Sequence, residues 1–383
     1  MEQAQQVELI KRMLSHAERN DKDLAGEMGS APVESYYDPA LYKRELDTIF
    51  RRQPIVVGFS SQLAKVGDFI THNDTGQPIL VVRHADGGLR AFLNVCRHRG
   101  AQVELAPCGG RKRAFVCTYH GWTYDTEGRL VGLTEPEGFD CDKAKLGLRR
   151  LKLAEKYGMV WVVPTALKEG ESADFDIDAY LGPLAADLAP WAMDEWQLQS
   201  SVPVLPAMNW KLVMDTFLEA YHFRYLHRKT VNPLFLDHFA SYDRLGDHVR
   251  ICTAKLTMPE LRNRPESEWR LLDHALVLHI VFPNTVLAWV QDHCGVFTIF
   301  PTGVESALMH LNVMVQPDMR ASKPEQYWDT NARLLKSAVD EDFGLGATTQ
   351  RGFHSGANER IIFGKNESGL TYWHQAIDRA MAA

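Results

Sequence analysis

Two short loops decide the fold of this chain: Cys96-Arg97-His98-Arg99-Gly100 and Cys117-Thr118-Tyr119-His120-Gly121-Trp122. The first reads C-x-H, and the second reads C-x-x-H after eighteen intervening residues. Each loop therefore offers one thiolate and one imidazole. Donors of this kind select zinc or iron–sulfur centres over hard cations. The pattern predicts a metal centre held between the tips of two loops.

The distribution of the donors distinguishes the two kinds of metal centre. A structural Cys2His2 zinc site usually pairs two cysteines in one arm and two histidines in the other. A Rieske [2Fe–2S] cluster instead has two Cys on one iron and two His on the other, which suits two loops that each carry one Cys and one His. We therefore predict a Rieske cluster, with zinc as the main alternative. The inner iron would be held by Cys96 and Cys117, and the outer iron by His98 and His120.

Length and composition describe an ordinary globular protein of one or two domains. The 383 residues are 45% apolar and 24% charged, with a formal net charge of −7. This charge argues against nucleic acid and anionic membranes as partners. We see no signal peptide, and the most apolar stretch, residues 275–290, is too short and interrupted to span a bilayer. Six cysteines, four of them outside the cluster, suit a reducing compartment, so we expect a cytoplasmic protein.

The pattern of residues along the chain predicts an α+β protein with three parts. An amphipathic helix over 6–19 and an extended segment over 22–40 form an N-terminal arm, residues 1–51. Short β-rich runs separated by turn residues indicate an all-β cluster-binding domain over 52–164. Residues 165–383 form the remaining domain, with strand-rich stretches at 246–257 and 276–316 and helices at 209–227, 324–350 and 368–381.

A second group of candidate metal ligands lies in the predicted helix 209–227. His222 and His227 are five positions apart, which places them about 140° apart on a regular helix. They could share a metal only if the helix ended or bulged between them. By the same geometry Asp215, Glu219 and His222 share one face. On its own, this pattern is more typical of packed core residues than of metal ligands.

A carboxylate must complete such a site, because a mononuclear non-haem Fe(II) site uses two His and one Asp or Glu. Asp342 shares a helical stripe with Leu335, Ala338, Val339 and Leu345, so it faces the protein core. An ionised carboxylate buried there needs a partner or a metal. Asp340 points away from this stripe, and we expect it to be solvated.

Together these residues resemble the Rieske non-haem iron oxygenases, in which C-R-H-R-G precedes C-x-Y-H-G-W. Thr118 stands where most members have Pro, and it is not a ligand. The family's iron site, D/N-x-x-x-E/D-x-Y-H-x4-H followed by a distant Asp, matches at Asp215, Glu219, Tyr221, His222 and His227, and at Asp342 with Gln350 downstream. The resemblance implies that His222, His227 and Asp342 bind mononuclear Fe(II).

The same resemblance implies partners, a fold and an activity. Glu219, which we assign with Asp215 to the catalytic group, would bond His222 and His120 of an adjacent chain. The catalytic domain would be of the helix-grip type, an antiparallel sheet with a long helix, and the oxygenase a homotrimer. Electrons would come from a separate NAD(P)H reductase, directly or through a ferredoxin, since the chain has no G-x-G-x-x-G dinucleotide motif.

The predicted activity is that of a terminal oxygenase that uses O2 to hydroxylate an aromatic or N/O-alkylated small molecule, by ring dihydroxylation or by oxidative dealkylation. Most ring-hydroxylating members have Asp where this chain has Glu219, and a subgroup acting on quaternary amines has Glu. An electron carrier without oxygenase chemistry is the alternative, but it would not need the second iron site. Candidate pocket residues are Met208, Met214, Phe217, Phe223, Leu276, Leu278, Ile280, Val290 and Phe297.

Overall fold

The computed structural model describes residues 1–382, except for the side chains of residues 237 and 238. The chain forms two compact units. One comprises Leu46–Ile177, and the other combines Met1–Glu45 with the residues from Asp178 onward.

Nine α-helices and nineteen strands are found in the described part of the chain. The helices are α1 Gln3–Arg19, α2 Pro39–Glu45, α3 Ile177–Leu181, α4 Pro183–Leu188, α5 Trp210–Asp215, α6 Leu271–His274, α7 Pro317–Ser322, α8 Glu325–Phe353 and α9 Ser368–Ala382. The strands are β1 Gly29–Pro32, β2 Ile55–Phe59, β3 Phe69–His72, β4 Ile79–Arg83, β5 Leu89–Leu93, β6 Cys108–Gly109, β7 Ala114–Val116, β8 Thr123–Asp125, β9 Leu130–Gly132, β10 Leu151–Lys156, β11 Met159–Ala166, β12 Gln197–Val204, β13 Phe235–Leu245, β14 His248–Lys255, β15 Ala275–Val281, β16 Thr285–Trp289, β17 His293–Gly303, β18 Ser306–Val315 and β19 Arg360–Phe363.

The unit Leu46–Ile177 consists mainly of three small antiparallel sheets, which confirms the predicted all-β character. Their strand orders are β5-β4-β3-β6, β7-β8-β9 and β10-β11-β2. Alternating apolar side chains of these strands form a core around Phe69, Phe92, Phe115 and Tyr124. The thiols of Cys96 and Cys117 belong to the same core cluster, so the two predicted cluster loops rest directly on it.

The second unit is built on a seven-stranded antiparallel sheet and a long helix, as expected. The strand order is β12-β18-β17-β16-β15-β14-β13. Helix α8 spans 29 residues. It approaches the segment before α5 so closely that a Cβ on Gly346 would lie 2.2 Å from Sδ of Met208. A side chain at position 346 would therefore require the buried Met208 to move.

One face of the seven-stranded sheet carries a cluster of charged and polar side chains. In register, Asp243 pairs with Arg250, which pairs with His279, so these three side chains share a face. Arg12 of α1 donates two hydrogen bonds of 2.7 Å to Asp243, so the N-terminal helix packs over this face. Side chains on the opposite face follow from strand alternation and are predominantly apolar. They include four predicted pocket residues, Leu276, Leu278, Ile280 and Phe297.

Three expectations about elements were wrong or incomplete. The helix predicted over 209–227 ends at Asp215, and a separate 3₁₀ turn follows at Tyr221–Arg224. Strands β12 and β13 were missed. β12 has no fully buried residue to give an alternating pattern, and β13 contains a register shift. No helix in residues 1–382 is long and apolar enough to cross a membrane.

Candidate metal centres

The two loops of the first centre have the same backbone turn. In one, Cys96 N donates to Ala101 O at 2.8 Å, and Gly100 N donates to Cys96 O at 2.9 Å. In the other, Cys117 N donates to Trp122 O at 2.8 Å, and Gly121 N donates to Cys117 O at 2.9 Å. Both glycines have φ in the left-handed region, +84° and +72°. Only glycine adopts such a turn without strain.

The four predicted cluster ligands converge at these loops. Cys96 and Cys117 are 3% and 1% exposed, and burial raises the pKa of the Cys117 thiol. The rings of His98 and His120 lie 4.5 Å apart between centroids. His98 stacks on Trp122 at 4.9 Å, and Phe139 packs edge-on against it. Nδ1 of His98 is buried without a hydrogen-bond partner among the described residues, which is costly for a polar atom unless it binds a metal.

Cys96 also has a partner that sequence reasoning missed. The hydroxyl of Tyr124 lies 3.4 Å from Sγ of Cys96 and accepts a hydrogen bond of 3.0 Å from Arg97 N. Burial, together with the nearby cysteine, raises the pKa of Tyr124. Tyr124 is on β8, and its side chain belongs to the core beneath the loops. A strand too short to be predicted thus supplies the contact to this cysteine.

The second centre forms where helix α5 ends. After Asp215 the chain leaves the helix and turns again at Tyr221–Arg224, so His222 and His227 no longer follow helical spacing. Their rings lie 5.1 Å apart between centroids. The interruption that a shared metal requires is therefore present between the end of α5 and His227.

Asp342 of α8 completes a group of three ligand atoms. Its Oδ1 lies 3.0 Å from Nε2 of His227 and 3.5 Å from Nε2 of His222. One ligand atom from each residue lies within 4.8 Å of the others. Asp342 is 8% exposed, as its position on the helical stripe predicted, whereas Asp340 is exposed and pairs with Lys336. Two imidazoles and one carboxylate form the donor set of non-haem Fe(II) sites, so the residues fit this metal.

Each imidazole of this centre has its own glutamate. Glu219 bonds Nδ1 of His222 and also accepts from the backbone N–H groups of Tyr221 and His222. Glu341 bonds Nδ1 of His227 at 2.6 Å. Burial acts to lower the pKa of both histidines, but these hydrogen bonds and the neighbouring carboxylate charges outweigh it and raise both pKa values. Sequence reasoning identified Glu219 but missed Glu341, which has no signal beyond standing next to Asp342.

Asp215 does not share a face with Glu219 and His222, contrary to the prediction, because helical spacing stops at this residue. Its carboxylate accepts a 2.7 Å hydrogen bond from the hydroxyl of Tyr36 and lies 2.9 Å from Nε2 of His374. Burial and the charge of Asp215 raise the pKa of Tyr36. Asp215 thus ties the end of α5 to the N-terminal segment and to α9.

A buried ion pair holds the start of the same helix. Nζ of Lys211 lies 2.5 Å from Oε1 of Glu45, and Trp210 donates to the other oxygen of Glu45 at 2.8 Å. Both members of the pair are at most 2% exposed. Asn209 caps α5 and its backbone N–H donates to Gln350 of α8 at 2.9 Å. The ion pair thus fixes α5 to α2, and the Asn209–Gln350 bond fixes it to α8, which carries the third candidate ligand.

Comparisons with known proteins identify the two domains in which these candidate centres lie. The model of the Rieske [2Fe–2S] domain matches residues 53–143, and the model of the ring hydroxylating alpha subunit catalytic domain matches residues 192–383. The glycine betaine monooxygenase oxygenase subunit of Chromohalobacter salexigens is 27% identical over 85% of this chain and 80% of its own. The chlorobenzene dioxygenase subunit alpha of a Cupriavidus species is 35% identical over 49% of this chain and 42% of its own.

The fold also matches a solved structure of a quaternary ammonium Rieske monooxygenase, with a TM-score of 0.78 at 22% identity, over 94% of this chain and 96% of that one. The Rieske match excludes the zinc alternative, and the catalytic-domain match excludes a pure electron carrier. The cofactors are therefore a Rieske [2Fe–2S] cluster and a mononuclear iron. The chain belongs to the Rieske non-haem iron oxygenases, as a terminal oxygenase subunit that acts on a small molecule with O2 and electrons from a separate reductase.

Proposed function

We propose that His222, His227 and Asp342 hold the mononuclear iron, and that the cluster is held by Cys96, His98, Cys117 and His120. The observation that carries the assignment is the group of three ligand atoms within 4.8 Å. When bound, the cluster supplies single electrons and the mononuclear iron activates O2. The surrounding residues orient the ligands: Glu219 and Glu341 hold the two imidazoles. We take residues 52–164 as the cluster-binding domain, 165–383 as the catalytic domain and 1–51 as an arm on the latter.

We propose an N-alkylated, cationic small molecule as the substrate and oxidative dealkylation as the reaction. Phe223 lies 4.9 Å from His222 and 5.7 Å from Phe235 between ring centroids. Phe217 lies 5.4 Å from Phe297 on the apolar face of the sheet. Aromatic faces attract quaternary ammonium groups, which cannot form hydrogen bonds. The relatives matched over most of the chain include a glycine betaine monooxygenase, whereas the ring dioxygenase matches over about half.

Ring dihydroxylation is the second candidate, and a separate observation favours it. The sheet face that carries Phe297 also presents Leu276, Leu278 and Ile280, an aliphatic surface that suits a neutral ring. The two reactions differ in product: dealkylation of an N-methyl group releases formaldehyde, and dihydroxylation gives a diol.

A substrate panel with a surrogate reductase tests this choice. Trimethylammonium compounds and monocyclic arenes would be compared by O2 uptake, formaldehyde release and product mass. We expect O2 uptake coupled to formaldehyde release with a trimethylammonium compound. Diol formation from an arene, with no turnover of the cationic compounds, would establish the second candidate instead.

We also propose that the oxygenase is a homotrimer in which Glu219 bonds His120 of the adjacent chain, in addition to its bond to His222. A carboxylate shared in this way would link a ligand of one cofactor to a ligand of the other. Light scattering measures the assembly, and a mixture of Glu219→Gln and His120→Ala chains should recover part of the activity, since some interfaces then carry neither change. We place the protein in the cytoplasm, because none of the six cysteines, all within the described residues, forms a disulfide.

A further inference from the structure

Glu341 forms a short bond to a predicted iron ligand that no motif in the sequence accounts for. Its Oε2 lies 2.6 Å from Nδ1 of His227 and accepts a 2.8 Å hydrogen bond from the hydroxyl of Thr230. His227 is 2% exposed, whereas a third of the Glu341 side chain remains accessible. A glutamate on the accessible side of α8 would ordinarily extend into water, so its position over a buried ring requires a reason.

We propose that Glu341 is the positioning residue of His227 and sets the affinity of the site for its metal. A neutral imidazole carries one proton, and a carboxylate accepting at Nδ1 keeps that proton there. The lone pair of Nε2 is then free for a metal, and Nε2 is the atom that lies 3.0 Å from Asp342. The negative charge also raises the basicity of the ring as a ligand.

Glu341 and Asp342 together fix the orientation of the His227 ring. Residues 341 and 342 are consecutive on α8, and they contact opposite nitrogens of the same ring, Nδ1 and Nε2. The ring orientation is thus determined by one helix. Thr230 adds a second anchor, because it lies one turn beyond His227 and holds the same carboxylate oxygen.

Glu219 and Glu341 are held next to their histidines in different ways. Glu219 is three residues before His222 and is held by the local backbone N–H groups of Tyr221 and His222. Glu341 lies 114 residues from its histidine and depends on the docking of α8. Loss of Glu341 should loosen the metal and leave the Rieske cluster intact, since the cluster ligands belong to the other compact unit.

The test is the affinity for Co²⁺ of the protein with its cluster assembled and its mononuclear site emptied. Glu341→Ala should bind Co²⁺ about 10–100-fold more weakly than the wild type, with the visible Rieske spectrum unchanged. Glu341→Gln keeps an acceptor and loses the charge, so we expect an intermediate affinity. Asp340→Asn is the matched control, because Asp340 is the preceding residue on α8 and pairs with the exposed Lys336 instead of a histidine.

The inference rests on the proposed iron site, and the two can fail separately. If His222→Ala binds Co²⁺ as tightly as the wild type, the metal is elsewhere and the proposed site is wrong. If His222→Ala loses Co²⁺ while Glu341→Ala and Glu341→Gln bind as tightly as Asp340→Asn, the site stands and Glu341 has no positioning role. Should Glu341→Ala not fold, Glu341→Gln together with Thr230→Val decides the question.

Discussion

The cluster loops and the mononuclear site achieve the same end, convergent metal donors, by different physical means. Both loops lie within residues 96–122 of one β-rich unit, and each is closed by its own backbone hydrogen bonds and a left-handed glycine. The mononuclear site joins the segment after α5 to a helix more than a hundred residues later. Side-chain carboxylates orient its two imidazoles, and a buried ion pair holds the helix that precedes them. The ligands of a site that is closed by local backbone hydrogen bonds can be recognised in the sequence. A site assembled from distant segments depends on tertiary packing.

Removing a donor from the assembled site should give the largest effect and should spare the other region. His222→Ala is expected to reduce turnover by about 10³-fold or more, because one of the three proposed iron ligands is lost. The visible Rieske spectrum should persist. Turnover with a reductase and the absorption spectrum measure the two outcomes. His354→Ala, an exposed histidine bonded to Glu305, is the control. Loss of the cluster spectrum in His222→Ala would show that the two regions are not independent.

Substitution of the buried ion pair between Lys211 and Glu45 tests how much this pair stabilises the packing around the mononuclear site. Lys211→Met leaves Glu45 charged and unpaired in the core, which should cost about 3–5 kcal/mol in the free energy of unfolding. Burial lowers the pKa of Lys211, and the charge and hydrogen bond of Glu45 oppose this shift. The double variant Glu45→Gln/Lys211→Met should recover most of the loss. Denaturant unfolding measures both, and equal instability of the single and double variants would contradict the prediction.

Substitution of Glu219 should reduce turnover less than substitution of a proposed iron ligand and more than substitution of an exposed acidic residue. Glu219→Gln removes the charge next to His222 while keeping the shape, so we expect turnover to fall about 10–100-fold with the iron retained. Iron content and turnover are the measurements. Glu305→Gln is the control, because Glu305 is also bonded to a histidine but is exposed. Normal turnover of Glu219→Gln would remove it from the catalytic group.

The smallest effect should come from the locally closed region. Gly100→Ala forces a side chain onto a left-handed residue, and an added Cβ meets nothing within 4 Å, so the cost is backbone strain alone. We expect a loss of about 1–2 kcal/mol in stability of the cluster-bearing unit. Gly138→Ala, in the same unit with an open environment and no positive φ, is the control. Thermal unfolding followed at the cluster absorption band measures it, and an unchanged midpoint would show that this turn can relax.

Several features of the fold were predictable because they repeat over short distances. The strands β4, β5, β7 and β11, the helices α1, α8 and α9 and the inward direction of Asp342 all follow from local periodicity. The helix over 209–227 was overextended for the same reason: its apolar spacing continues past Asp215, although the chain turns there. Nothing in the local pattern shows that Asp215 bonds Tyr36 and His374, because both partners are distant in sequence.

By itself, the sequence determined the kinds of donors and their grouping: two loops with a Cys and a His each, two histidines within a predicted helix, and one inward-facing aspartate. These follow from residue type and spacing, which are properties of a few consecutive residues. Tertiary structure alone decided that His222 and His227 share a site, that Asp342 meets both, and that Glu341 holds His227. Such contacts depend on where α8 docks against the end of α5, and docking is a sum of many weak burial and hydrogen-bond terms that no single motif encodes.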